Sequence, residues 1–183
     1  GGGNIIFDGD GKTSLFESHF STVHFDGLTF QNGDESQLND AGVILAIGSL
    51  TISNCIFINN YHPVHHIGGS LTIHNSLFTD NYGGVVSGTS YTDGDTFTVT
   101  DSTFTNNSNS YGGVISLYST EDSSSVSITN STFTNNSAEV NGGAIAMYRR
   151  AYLTLTDSTF SGNTAGENGG AIYMRDAFIT IQN

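Results

Sequence analysis

Carboxylates are the commonest reactive groups in this chain of 183 residues: 17 Asp and Glu stand against four Lys and Arg, with six His and one Cys. Paired acids are therefore the first chemistry to test. Asp101 and Asp157 fall at the same place in two copies of a repeated motif, two copies apart. An inverting glycosidase holds its carboxyl pair about 6.5 to 9.5 Å apart, and two strand spacings come to about 9.6 Å. A polysaccharide lyase would also need a base to take a proton and carboxylates to hold calcium, and the cations on offer are Lys12, Arg149, Arg150 and Arg175. Other copies of the motif carry Asn where these two carry Asp, so a corner role accounts for both, and no catalytic residue is expected.

Metal binding has two candidate groups. Asp8-Gly9-Asp10-Gly11 and Asp93-Gly94-Asp95 look like pieces of an oxygen-ligand calcium loop, but neither continues to the Glu that closes an EF-hand. Turn chemistry is the better reading of Asp-Gly. His62, His65, His66 and His74 lie within one copy of the repeat. Alignment of Pro63 with the second glycine of the other copies gives His65 an inward parity and His66 an outward one, so the two are not expected to share an ion. No metal and no cofactor is expected. N-glycosylation acceptors stand at Asn106, Asn130 and Asn135. Asn106 and Asn135 should face solvent, whereas Asn130 sits in a corner column and could be tied down.

The elements that would position these groups follow from an internal repeat. Phe recurs at Phe30, Phe57, Phe78, Phe104, Phe133 and Phe160, within LTFQNG, CIFINN, SLFTDN, STFTNN, STFTNN and STFSGN. Apolar residues stand seven and five positions before each: Val23/Phe25, Leu50/Ile52, Leu71/Ile73, Phe97/Val99, Val126/Ile128 and Leu153/Leu155. That alternation is a short strand. A second landmark is a Gly-Gly step followed by apolar alternation, with its second position at Gly42, Pro63, Gly84, Gly113, Gly143 and Gly170. A unit of 21 to 30 residues with two or three short strands and no helix cannot bury its own apolar side chains, so it must stack on its copies. Ser, Thr and Asn fill 63 of the 183 positions and strong helix formers are scarce, which points the same way. The expected fold is all-β: a parallel β-helix of about six to seven coils in a single domain, 1–183, essentially without helix, either by itself or as a segment of a longer solenoid.

Within the coil, Ile44, Val86, Ile115, Ile145 and Ile172 share parity with Leu117, Met147 and Met174 and should point inward, leaving Ser87, Ser116, Ala146 and Tyr173 outward. Asn60, Asn81, Asn107, Asn136 and Asn163 each follow a Phe by three residues and should form a stacked ladder of amides beneath the column Phe57, Phe78, Phe104, Phe133 and Phe160. Asn54, Asn75, Asp101, Asn130 and Asp157 mark another corner, where Asn tolerates a left-handed backbone. Cys55 replaces Ser in the column Ser76, Ser102, Ser131 and Ser158, and reads as a small, partly buried residue.

Gly-Gly-Ala-Ile/Val and Phe-x-x-Asn, repeated with Leu-Thr-Ile-x-Asn-Ser-x-Phe between them, resemble the repeats of chlamydial polymorphic outer-membrane proteins and of adhesin-like, pectin-lyase-like surface proteins. The resemblance runs from about residue 20 to 183. It implies a right-handed helix displayed extracellularly or at a cell surface as an adhesin or stalk. His-Pro-Val in place of Gly-Gly, FQNG in the first copy, and the lack of a membrane-barrel module depart from the pattern.

A net charge of −13 leaves no basic footprint for nucleic acid or anionic lipid, no apolar run is long enough to span a membrane, and no charged-then-apolar leader opens the chain. The functional expectation is a structural or adhesive module without catalysis. Its partners would be glycans, cell-surface proteins, or its own copies or continuation end to end, since residues 1–40 are net −6 and residues 144–183 net 0. A polysaccharide lyase or glycoside hydrolase on the same fold is the alternative.

Overall fold

A computed structural model describes residues 4–12, 14–34, 43–90, 96–119, 125–149 and 151–183. Gly42, the Asp93-Gly94-Asp95 turn and Arg150 lie outside the described residues. The described chain is all-β, without helix, and winds as a parallel β-solenoid of about six turns.

Each coil lays down three short runs. The Phe strands, from Ile5–Asp8 and Leu28–Gln31 to Thr159–Ser161, form one seven-stranded parallel sheet. The alternating strands Leu71–His74, Thr96–Thr100, Ser125–Thr129, Tyr152–Thr156 and Phe178–Gln182 stack in register as a second face. The strands after the glycine turns, Val64–Ile67, Val86–Ser90, Ile115–Ser119, Ile145–Tyr148 and Ile172–Arg175, stack as a third. Two long strands, Phe16–Asp26 and Ile44–Ser53, run through both of the latter faces and join them into one sheet. A small extra sheet, Ser108–Tyr111 with Ser137–Asn141 and Thr164–Ala165, flanks the glycine turns.

Identical positions on successive coils meet at one strand spacing, so like side chains form columns. The phenylalanines stack with ring centroids 4.5–5.2 Å apart and nearly parallel planes. Phe57, Phe78, Phe104 and Phe133 are fully buried, and Phe160 packs half-buried at the end of the row. Phe7 adds a seventh ring below Phe30, 5.2 Å away. Inside the second face, Leu50, Leu71, Phe97, Val126 and Leu153 form one apolar column and Ile52, Ile73, Val99, Ile128 and Leu155 another.

The Asn ladder forms as expected. Asn107 Nδ2 donates to Asn136 Oδ1 and to the Phe78 carbonyl, both at 3.0 Å, while Asn107 Oδ1 accepts the Asn81 backbone N–H and amide. Asn60, Asn81 and Asn136 repeat the pattern, and Asn163 donates to the Phe133 carbonyl. Every amide hydrogen of Asn107 is thus used inside a dry corner where a lone carbonyl would cost free energy. Serines close the next corner in the same way: Ser102 donates to the Thr100 carbonyl at 2.8 Å and accepts Ser76 N–H at 3.1 Å. Cys55 stands in this ladder, donating its thiol toward the Ser53 carbonyl at 3.1 Å while its sulfur meets the Leu28 backbone N–H, and burial pushes the thiol pKa up.

Two expected parities are overturned. Val64, not His65, pairs with Ile44 and Val86, so His65 joins the outward row of Leu45 and Ser87 and His66 the inward-parity row of Ala46 and Gly88. The cause is a turn one residue short: Tyr61 pairs with Tyr82, yet three residues lead from Tyr61 to Val64 and four from Tyr82 to Val86. A slip of one residue exchanges the faces of a strand. Pro63 therefore occupies the place of Val85, and its ring is buried. Ala146, outward by parity, is fully buried. The preceding turn folds back over it: Gly142, at φ 69°, lies so close that an added Cβ would stand 3.0 Å from the Ala146 nitrogen and 2.1 Å from the Ile145 carbonyl oxygen. Only glycine fits there, which is why the step before the strand is Gly-Gly.

Candidate functional site

The second face carries the most regular outward chemistry. Its apolar residues point in, and the residues between them point out, giving the burial alternation seen in Thr96–Thr100, Ser125–Thr129 and Tyr152–Thr156. The middle outward column is Thr51, Thr72, Thr98, Ser127, Thr154 and Thr180, held in unbroken register. Thr100, Thr129 and Thr156 form a parallel column beside it. Hydroxyls therefore repeat about 4.8 Å apart along the rod and about 6.6 Å apart along each strand. Some bond each other across coils, as Thr96 to Ser70 at 3.0 Å. A lattice of groups that both donate and accept suits a polymer with its own repeating polar groups, since many weak contacts add when they share a spacing.

The residues considered for catalysis sit at an adjoining corner. Asn54, Asn75, Asp101, Asn130 and Asp157 all have φ between 44° and 55°, the left-handed conformation expected of a corner. Asn130 stands between Asp101 and Asp157 in this column and donates its amide to Asp101 Oδ1 at 2.6 Å. His74 Nδ1 lies 2.9 Å from Thr100 Oγ1 and 3.4 Å from Asp101 Oδ2. Both neighbours approach the same ring nitrogen, whereas a base that activates a hydroxyl uses one nitrogen for the hydroxyl and the other for its orienting carboxylate. The trio is not arranged as a relay.

The Asp8-Gly9-Asp10-Gly11 segment closes as a turn. Asp8 accepts the Asp10 backbone N–H at 3.0 Å, the Gln31 amide at 2.6 Å and the Asn32 amide at 3.2 Å, and these bonds, Gln31 first, lower its pKa. Among the described residues no cluster of three His, Cys, Asp or Glu side chains could hold a metal ion.

All three glycosylation acceptors are exposed. The distinction between them is not seen: Asn106 donates to Asp80 at 3.1 Å much as Asn130 donates to Asp101, and Asn106 and Asn135 are themselves left-handed corner residues, each at φ 55°.

A group of tyrosines on the glycine-turn face was not legible as a site. Tyr118 and Tyr148 pair across coils, Tyr148 lies 5.6 Å from Tyr173, and Tyr111 meets Tyr148 edge-on at 6.4 Å. The available signal was the shared offset of Tyr118 and Tyr148, each three residues after the inward Ile115 or Ile145.

Columns in register, the paired glycine turns and the Asn ladder define a solenoid, and the family model described as "Right handed beta helix region" matches residues 3–183. The chain belongs to this family. No curated protein and no solved structure matches the chain. Among the described residues of this right-handed β-helix, no helix is long and apolar enough to cross a membrane.

Proposed function

We propose that this right-handed β-helix is an extracellular or cell-surface module with a structural and adhesive role, and that its hydroxyl face is the contact surface. The observation that carries the reading is the unbroken register of Thr51, Thr72, Thr98, Ser127, Thr154 and Thr180 on a face whose corners are already closed by their own ladders. Corner residues such as Asp101 and Asn130 hold each other, and the outward hydroxyls are left to meet a partner. The likeness of the Gly-Gly-Ala-Ile and Phe-x-x-Asn repeats to those of chlamydial polymorphic outer-membrane proteins and adhesins supports the same role.

The partner in this reading is a glycan or a glycan-coated surface protein. Stacking end to end on its own copies, or on a continuation of the same solenoid, belongs to the reading too, with exposed Ile5 and Ile6 at one end and Phe178 and Ile181 at the other. The test is retention of the chain on immobilised polysaccharides and cell-wall preparations, with Thr72, Thr98 and Thr154 replaced together by Lys. Retention that survives the triple substitution overturns the hydroxyl face as the contact. Release of unsaturated or reducing sugar ends, lost on Asp101→Asn or Asp157→Asn, would instead establish the carbohydrate-active enzyme.

A further inference from the structure

We propose that the tyrosines and arginines of the glycine-turn face form a second binding site, for a sugar chain bearing anionic groups, distinct from the hydroxyl face. Three of the chain's four cations, Arg149, Arg150 and Arg175, fall within residues 149–175 of a protein of net charge −13. Arg150 lies outside the described residues; the other two converge on the tyrosines. Arg175 takes the place of tyrosine in the outward column Tyr118, Tyr148, Arg175. The Arg149 guanidinium sits 4.6 Å over the centre of the Tyr118 ring.

Three features make this more than a row of cross-strand aromatics. Arg149 is held at φ 56°, a conformation that long side chains seldom adopt, whereas Asp176 at the same corner of the next coil is a residue type that tolerates it. Strain retained at one residue is a mark of a functional constraint. A guanidinium stacked on a ring also keeps its N–H edges free to the sides, oriented for a two-pronged bond to a carboxylate or sulfate. No carboxylate among the described residues lies within ion-pair distance of Arg149, and Asp176 stands 3.9 Å from Arg175 with both side chains largely exposed.

The rings supply the rest of the site. Tyr111 and Tyr118 are 45% and 40% exposed, and Tyr173 is partly so, around a central Tyr148. Sugar rings present C–H faces that pack on aromatic faces, with hydroxyls left at the rim for hydrogen bonds. The Tyr148 hydroxyl is buried without a hydrogen-bond partner, and burial raises its pKa while the Asn141 amide acts against that without reaching bonding geometry. Tyr148 therefore serves as the packed floor of the group, and the exposed Tyr111 and Tyr118 rings are the ones a sugar can reach. Tyr118, Tyr148 and Arg175 span two strand spacings, about 10 Å, enough for two sugar units in line along the rod.

The chain has no Trp, so emission comes from its eight tyrosines, four of them at the site, and the part of a ligand-induced change that Tyr118→Ala removes reports the site. The whole chain is titrated with an oligouronate, a sulfated oligosaccharide and a neutral gluco-oligosaccharide, which separates carboxylate from sulfate and both from uncharged sugar. At least one anionic ligand should bind, more weakly as salt rises, and the neutral one should bind about tenfold less well. Tyr118→Ala, Arg149→Gln and Arg149→Gly should each lose about tenfold, the last without lowering the thermal midpoint because glycine accepts the φ. Thr98→Val with Thr154→Val should leave this affinity within about twofold, so failure of the hydroxyl-face reading and failure of this one are separable. Absence of binding to both anionic ligands overturns the proposal. So does equal binding of the neutral sugar, or anionic binding untouched by the Arg149 variants.

Discussion

Asn106 and Asn107 are neighbours of the same residue type, and the fold uses them in opposite ways. Asn107 is completely buried, with its amide bonded to the coils on either side. Asn106 is exposed, bends the chain at φ 55°, and donates its side-chain amide across the surface to Asp80. The same contrast recurs at Asn135 and Asn136. Position relative to the corner, and not residue type, decides whether an amide holds the solenoid together or merely turns it. The lesson extends to the hydroxyls: Ser102 is structural because it points in, while Thr98, pointing out, is left for other purposes.

Substitutions should separate these roles in order of size. Asn107→Ala strands the Phe78 carbonyl and the Asn81 N–H in a dry corner, and at about 1–3 kcal/mol for each stranded group should cost roughly 2–6 kcal/mol by denaturant unfolding. Ser102→Ala deprives one N–H and one carbonyl of a partner at a less enclosed corner, with an expected loss of about 1–2 kcal/mol. Asn106→Ala puts a less tolerant residue at positive φ and should cost about 1 kcal/mol, with Asn106→Gly close to neutral. If Asn106→Ala proves as damaging as Asn107→Ala, the distinction between holding and turning fails.

Cys55 offers a finer probe. Cys55→Ser rebuilds the serine ladder and should change stability by less than about 0.5 kcal/mol, while the native thiol should react with an alkylating agent far more slowly than the unfolded one. Its folded pKa is raised, mainly by burial, so the neutral form is the stable one. Its contribution is present below the unfolded pKa and is lost as pH rises through the folded one, so alkaline solution above about pH 9 should destabilise the wild type more than Cys55→Ser. The smallest effect is expected on the outer face, where Thr98→Val should leave the unfolding midpoint essentially unmoved.

Much of this was legible before the structure. A Phe at a nearly fixed interval anchors each coil, and the offsets to Asn, Ser and the alternating strand then follow, because stacked parallel strands admit little freedom of register. What escaped was local. The shortened His-Pro turn carries no mark in the sequence once Pro63 is aligned with a glycine, and a one-residue slip reversed His65 and His66. Phe7 was hidden because Ile5 stands where most later copies carry Ser or Cys two residues before the Phe, and Asp10 where most carry Asn three residues after it. Ala146 is buried by its own glycine turn folding back over the strand, and the tyrosines depend on contacts between coils; strand alternation shows neither. Of the candidate site, the hydroxyl rows were readable as outward Thr and Ser, but the stacking of Arg149 on Tyr118 was not.

Pro63 has a mechanical consequence. Hydrogen bonds between coils run along the axis of the rod, so tension applied to its two ends loads the junctions in series, and the weakest yields first. Val85, Val114 and Ala144 each donate a backbone N–H to the next coil at this position. Pro63 has no N–H to give. Under load the rod should therefore part between the coil of Pro63 and the coil of Val85, leaving the more regular turns beyond it to unravel only at higher force.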